Sequence, residues 1–177
     1  MNTTAPAIRI LGYLGAFWGL AGIAALLAFS IWRLAAVAAD AWSYDLYAYH
    51  WLALAAHVAF MAWSEGYRGF QQSFSPRIVA RAKYLIAHPR PAHVLLAPLF
   101  CMGYFHTSRR RMISVYVLTV FIITLIIAVR WLAQPWRGIV DAGVVVGLLW
   151  GLISMGAFTL RALTDPGYPY GPEVPGA

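Results

Sequence analysis

An all-helical, polytopic membrane protein built as a bundle of four transmembrane helices is what this sequence predicts, and three observations carry that reading. Of its 177 residues 62% are hydrophobic and 11% charged, with a mean hydropathy of +0.68, a composition that calls for lipid as the solvent. Three apolar runs reach about twenty residues, the length that crosses a hydrocarbon core of about 30 Å at about 1.5 Å per residue. Positive charge is concentrated in one segment between apolar runs, as in a loop held at a cytoplasmic leaflet.

Taken in order, Met1 to Arg9 is short and carries one basic residue. The apolar run behind it, about 10–32, is longer than a signal-peptide core and has no convincing small-residue cleavage site, so an uncleaved signal anchor is expected. The second span, about 46–63, is slightly short and is interrupted by His50 and His57, but carries aromatic residues at its ends. The third and fourth spans, about 112–132 and 139–160, are the clearest. A further apolar segment, about 94–105, would cover only about 18 Å as helix and contains Pro98 and Gly103. It is too short to cross and reads as re-entrant or interfacial. Residues 1–164 thus form one transmembrane domain, and the Pro- and Gly-rich tail 165–177 is expected to stay flexible.

Between the second span and 94–105, Ser75 can cap a helix and Pro76 suits its first turn. From about 76 to 88, Ile78, Val79, Ala82, Leu85 and Ile86 share one face, while Arg77, Arg81, Tyr84 and His88 share the other. This is the pattern of a cationic amphipathic helix lying on the cytoplasmic membrane surface.

Orientation follows from the basic residues between spans two and three: Arg68, Arg77, Arg81, Lys83, Arg90, Arg109, Arg110 and Arg111, opposed only by Glu65. That side is expected to be cytoplasmic, which puts both termini there. Arg77, Arg81, Lys83, Arg109, Arg110 and Arg111 are then the residues to touch anionic lipid. The formal charge of +7 is accounted for in this way; no nucleic-acid recognition motif accompanies it, and nucleic acid is not an expected partner. A single cysteine, Cys101, excludes an intramolecular disulfide and a Cys-rich metal site, and no metal is expected.

Small residues recur at helical spacing in two spans. Gly12, Gly15, Gly19 and Gly22 line one side of the first, and Gly143, Gly147 and Gly151, extended by Ser154, line one side of the fourth. Such stripes let helix backbones approach closely in lipid, within one bundle or against a membrane-protein partner or second copy.

Chemistry is sparse. His50 and His57 lie two turns apart on one face of the second span, with His57 nearer the bilayer centre, where an ionisable group is more often functional than elsewhere. Glu65 and Arg68 follow at a spacing that allows pairing, in a glycine-containing stretch that reads as a corner under the cytoplasmic headgroups. Asp141 opens the fourth span beside Arg137, where capping or pairing explains it. His50, His57, Glu65, Arg68 and Asp141 are therefore the candidate ligand or proton site. Haem would need a partner histidine, His93 or His106 or one from a second subunit, because His50 and His57 on one helix cannot bind opposite faces of one ring. No catalytic residue can be assigned, since no nucleophile stands beside a base. A non-catalytic scaffold, assembly factor or small subunit of a membrane complex is the expected function. The alternative is a membrane enzyme, a haem or quinone redox protein, or a carrier for a small apolar or lipid-like ligand.

Overall fold

The computed structural model describes residues 4–165 and 167–175, and no strand occurs among them. The first apolar run sits inside one long helix, α1 (Thr4–Asp40), of 37 residues and about 55 Å. A 3₁₀ turn at Ala41–Ser43 reverses the chain into α2 (Ala48–Met61).

The helix started by α2 does not end at Trp63. It continues through a π-type segment (Ala62–Phe74) into α3 (Ser75–Ala87), an unbroken helical run with no corner at Glu65–Gly69. Gly66 and Gly69 do not turn the chain; they lie within the helix, and Gly66 is buried against Trp150. The bonding changes from five-residue to four-residue steps at Ser75, whose N–H still reaches the Phe70 carbonyl. Pro76 follows directly, so its missing N–H falls where the ladder is already being rebuilt.

Two short helices, α4 (Pro91–Leu95) and α5 (Ala97–Met102), form the segment expected to be re-entrant or interfacial. Gly103, at φ +88°, closes α5 in the left-handed conformation that glycine adopts without penalty. After a loop come α6 (Arg109–Val129) and α7 (Trp136–Thr164). Among the described residues three helical segments are long and apolar enough to cross a membrane: Ile8–Ser43, which joins α1 to the 3₁₀ turn after it, α6 and α7.

The contacts set the packing. Ile86 meets Gly12, Leu85 and Val94 meet Gly15, Cys101 meets Gly19 and Pro98 meets Gly22, so α3, α4 and α5 cover the glycine face of α1. At the far end of α1, Val37 and Ala41 meet Gly138. Along α7, Gly143 meets His57, Gly147 meets Glu65, Gly151 meets Phe70 and Ser154 bonds to Ser75. The 48–87 run and α7 therefore lie side by side in the same direction, with α1 antiparallel to both. Helix α6 has no buried residue; it meets the rest of the chain through Tyr104, whose hydroxyl lies 2.7 Å from Thr119 Oγ1 and whose ring packs on Tyr116, and through Arg111, 3.9 Å from Glu173.

The amphipathic pattern of 76–88 has a different outcome from a surface helix. Its apolar face packs into the core, and on its cationic face Arg81 is covered by α5, the loop after it and the tail, while Arg77 and Tyr84 are half-buried and His88 is exposed. Arg81, expected at the lipid surface, is 3% exposed. The tail has no regular structure where described, and it touches the fold: Tyr168 donates to the Pro76 carbonyl, Lys83 to Asp165 O, and Val174 is buried. Residues 166, 176 and 177 of that tail lie outside the described residues.

Candidate functional site

The seam between the 48–74 helical run and α7 gathers four of the five candidate site residues. Glycines on α7 make it possible, because each leaves room for a side chain from the facing helix. A Cβ at Gly143 would collide with the His57 ring, one at Gly147 would lie 2.7 Å from Glu65 Oε2, and one at Gly151 would lie 2.6 Å from Phe70 Cδ1. On the facing run the contacting residues step from 57 to 61 and 65 in fours, then to 70 and 75 in fives. An α-helix would rotate away over steps of five; the wider π-type turn keeps one face on α7.

At the α2 end the seam is aromatic and satisfied. His50 is buried, its Nδ1 accepts the Tyr47 N–H at 3.1 Å, and its ring packs on Tyr49 and Trp136. This is a helix-start role, in which His50 caps α2. Asp141 is buried deeper than a first-turn cap and lies 3.9 Å from Arg137 Nε, a long ion pair whose Nε has no hydrogen-bond partner. His57 donates from Nε2 to the Val140 carbonyl at 3.2 Å, bridging the two helices. One turn further along α7 is Glu65, whose Oε2 is shut off from solvent with no hydrogen-bond partner. Arg68 does not pair with it. Its guanidinium lies 5.1 Å from the centre of the Trp63 ring, on an exposed face. Beyond Glu65 the seam continues through Trp150, which donates to Gln71 at 2.7 Å, and the Ser75–Ser154 bond of 2.8 Å.

A second polar cluster lies outside this seam. Arg81 donates to four backbone carbonyls, those of Phe100, Phe105, His106 and Pro172, and lies over the Phe100 ring at 4.2 Å. Burial lowers its pKa, against the raising pull of Cys101 and Glu173. Next to it, burial and the neighbouring Arg111 push Arg77 down to about 10, with Glu173 pulling the other way. Arg111 meets Glu173 at 3.9 Å, while Arg109 and Arg110 are exposed. His93 and His106 pack ring against ring at 4.8 Å; burial, chiefly, makes both harder to protonate, and Arg90 and Arg81 add to this.

These positions bear on the cofactor question. The rings of His93 and His106 touch, leaving no gap for a macrocycle between them, and both sit on Phe100 rather than opposite His57. No group of three or more metal-ligating side chains occurs among the described residues. Two hollows, one beside His50 and one beside Arg77 and Arg81, each hold about 10 Å³. That is about one water.

Sequence reasoning missed Arg81 as a backbone clamp, the Ser75–Ser154 and Trp150–Gln71 bonds, and the depth of Glu65. Only the α7 stripe hinted at the last, since glycines at steps of four imply a facing helix without naming its register. In comparisons with protein families, curated proteins and solved structures, nothing matches this chain.

Proposed function

We propose that this chain is a four-crossing membrane protein with both termini in the cytoplasm, serving as a non-catalytic subunit or assembly factor that meets another membrane protein through α6. In this reading α1, the 48–74 run, α6 and α7 cross. Trp42, Trp51, Trp131 and Trp136 mark the outer boundary, and Arg77, Arg109, Arg110, Arg111 and Arg161 the cytoplasmic one. Helices α4 and α5 then lie on the cytoplasmic side of that boundary, and the exposed Arg109 and Arg110 face anionic lipid.

One observation supports the partner above all. The most apolar stretch of α6 is more hydrophobic than that of either other candidate span, and none of it is buried. The small-residue faces of α1 and α7 are already filled within the chain, leaving α6 as the helix without an internal counterpart. It contains no glycine and one alanine, Ala128, and is rich in Ile, Val and Thr. Two copies would meet bulk against bulk, so a partner helix presenting small residues fits it better.

The test is a photo-crosslinking residue placed at Val120 or Ile123, used in intact membranes. A single non-self adduct, recovered with the untagged partner at fixed stoichiometry and lost on replacing the α6 face with leucine, supports the proposal. Adducts with lipid alone, or with a second copy alone, overturn it. Topology is checked separately by reporter fusions near Asp40 and at the C-terminus, which should report opposite sides.

A further inference from the structure

Three ionisable side chains among the described residues have a buried atom without a hydrogen-bond partner, Glu65, His93 and Arg137. Arg137 has Asp141 beside it and His93 stacks on Phe100, whereas Glu65 is in neither of the described ion pairs. Its carboxyl occupies the space left by Gly147, and its Oε2 is buried without a hydrogen-bond partner. Neither of the two ion pairs among the described residues, Arg111–Glu173 and Arg137–Asp141, includes it. The nearest cation along its own helix, Arg68, is turned onto Trp63.

Its depth follows from register. Gly147 is eleven residues into α7, about 16 Å from Trp136, close to the middle of a helix long and apolar enough to cross a membrane. The π-type segment packs against α7, and between Asp141 and Arg161 that helix carries no titratable residue. On its own run the titratable neighbours are His57, tied to Val140, and Tyr67 and Arg68, both exposed. An ionised, unpaired carboxylate at this depth is far costlier than a neutral acid. Towards the cytoplasmic end the same segment carries Arg68, Gln71, Gln72 and Ser73, whereas towards the outer end α2 offers only His57 before His50. The polar route therefore leads to the cytoplasm.

We propose that Glu65 is a proton-binding site within the membrane, neutral at rest, that exchanges its proton with cytoplasmic water along the Arg68–Gln71 side of the π-type segment. The step is a dissociation of the carboxylic acid to carboxylate and a proton, which passes to water; no other reactant is needed. It rests on α7 crossing the bilayer with its Arg161 end in the cytoplasm, and is independent of any partner for α6.

The experiment uses the full chain in phosphatidylcholine vesicles with dicyclohexylcarbodiimide, an apolar reagent that modifies protonated carboxyls, and maps the adduct by peptide mass. Glu65 should be labelled ahead of the other five Asp and Glu residues, with a rate falling about tenfold per pH unit above its titration point. Infrared spectra should show a protonated-carboxyl band that shifts in D₂O and is absent in Glu65→Gln. The peptide map of the unaltered chain keeps the test valid if that variant fails to fold. Four results would overturn the proposal: no labelling and no band; a band insensitive to D₂O and pH, the mark of a sealed structural acid; equal labelling by a water-soluble carbodiimide; or protection by sodium but not choline, the mark of a metal-cation site.

Discussion

Arg81 Nε donates to the Phe100 carbonyl at 2.6 Å while its guanidinium lies over the ring of the same residue at 4.2 Å. One side chain thereby binds α3 to the end of α5, and its remaining donors bind the loop at Phe105–His106 and the tail at Pro172. A planar fork of donors suits this task, and lysine cannot reproduce it. Arg81→Lys should lower thermal stability in detergent by about 2 kcal/mol, and Arg81→Ala by about 3 kcal/mol or more, because buried carbonyls lose a charged donor. Limited proteolysis should cut the tail first in both variants. Wild-type melting and proteolysis would show that the clamp is dispensable.

The glycine contacts predict a graded series. Leucine at Gly147 must displace Glu65, and leucine at Gly19 must displace Cys101 Sγ, 2.9 Å from an added Cβ. Each should cost about 1–3 kcal/mol by overpacking. Gly156, on the same helix, has nothing within 4 Å, so Gly156→Ala should be neutral or stabilise by about 0.5–1 kcal/mol through helix propensity. Equal effects at Gly147 and Gly156 would argue against the seam.

His57 bridges to α7 with one hydrogen bond, so its removal should be modest. His57→Leu is expected to cost about 1 kcal/mol, whereas His57→Gln, which retains a donor for Val140 O, should stay close to wild type. Stability lost equally in both variants would show that the imidazole does more than donate.

Acid should loosen the end of the fold built from α4, α5 and the loop after them. His93 and His106 both have pKa values below the ordinary 6.5, burial being the first cause. The folded chain then binds fewer protons than the unfolded one, so stability rises with pH in that range and falls with acid. It should be level well above pH 6.5 and drop progressively once the pH passes below that value. A double variant, His93→Gln with His106→Gln, should flatten the slope in melting curves collected across the range. An unchanged slope would assign it to other groups.

How much of this was legible beforehand differs between elements. The apolar runs near 112–132 and 139–160 appear as α6 and α7 because a run of about twenty apolar residues in lipid must satisfy its own backbone, and a helix does so locally. The stretch from Glu65 to Gln71 reads as a corner in sequence because its polarity and glycines resemble a loop; in the structure Gly66 and Gly69 are helical, and the glycine at 66 makes room for Trp150. Glu65 could be noticed from sequence, but its depth could not, since that depends on which residue of α7 lies opposite.

Residue order alone determined the helical class, the apolar character of the long runs and the face of 76–88 that would be buried, because these depend on neighbours a few positions away. Tertiary structure alone decided what covers the other face. Arg81 binds the carbonyls of Phe100, Phe105, His106 and Pro172, and every residue has a carbonyl, so no side-chain pattern announces those partners. The same holds along α7, where the stripe at Gly143, Gly147 and Gly151 shows that something packs closely, and only the register, set by the five-residue steps of the π-type segment, places His57, Glu65 and Phe70 against it.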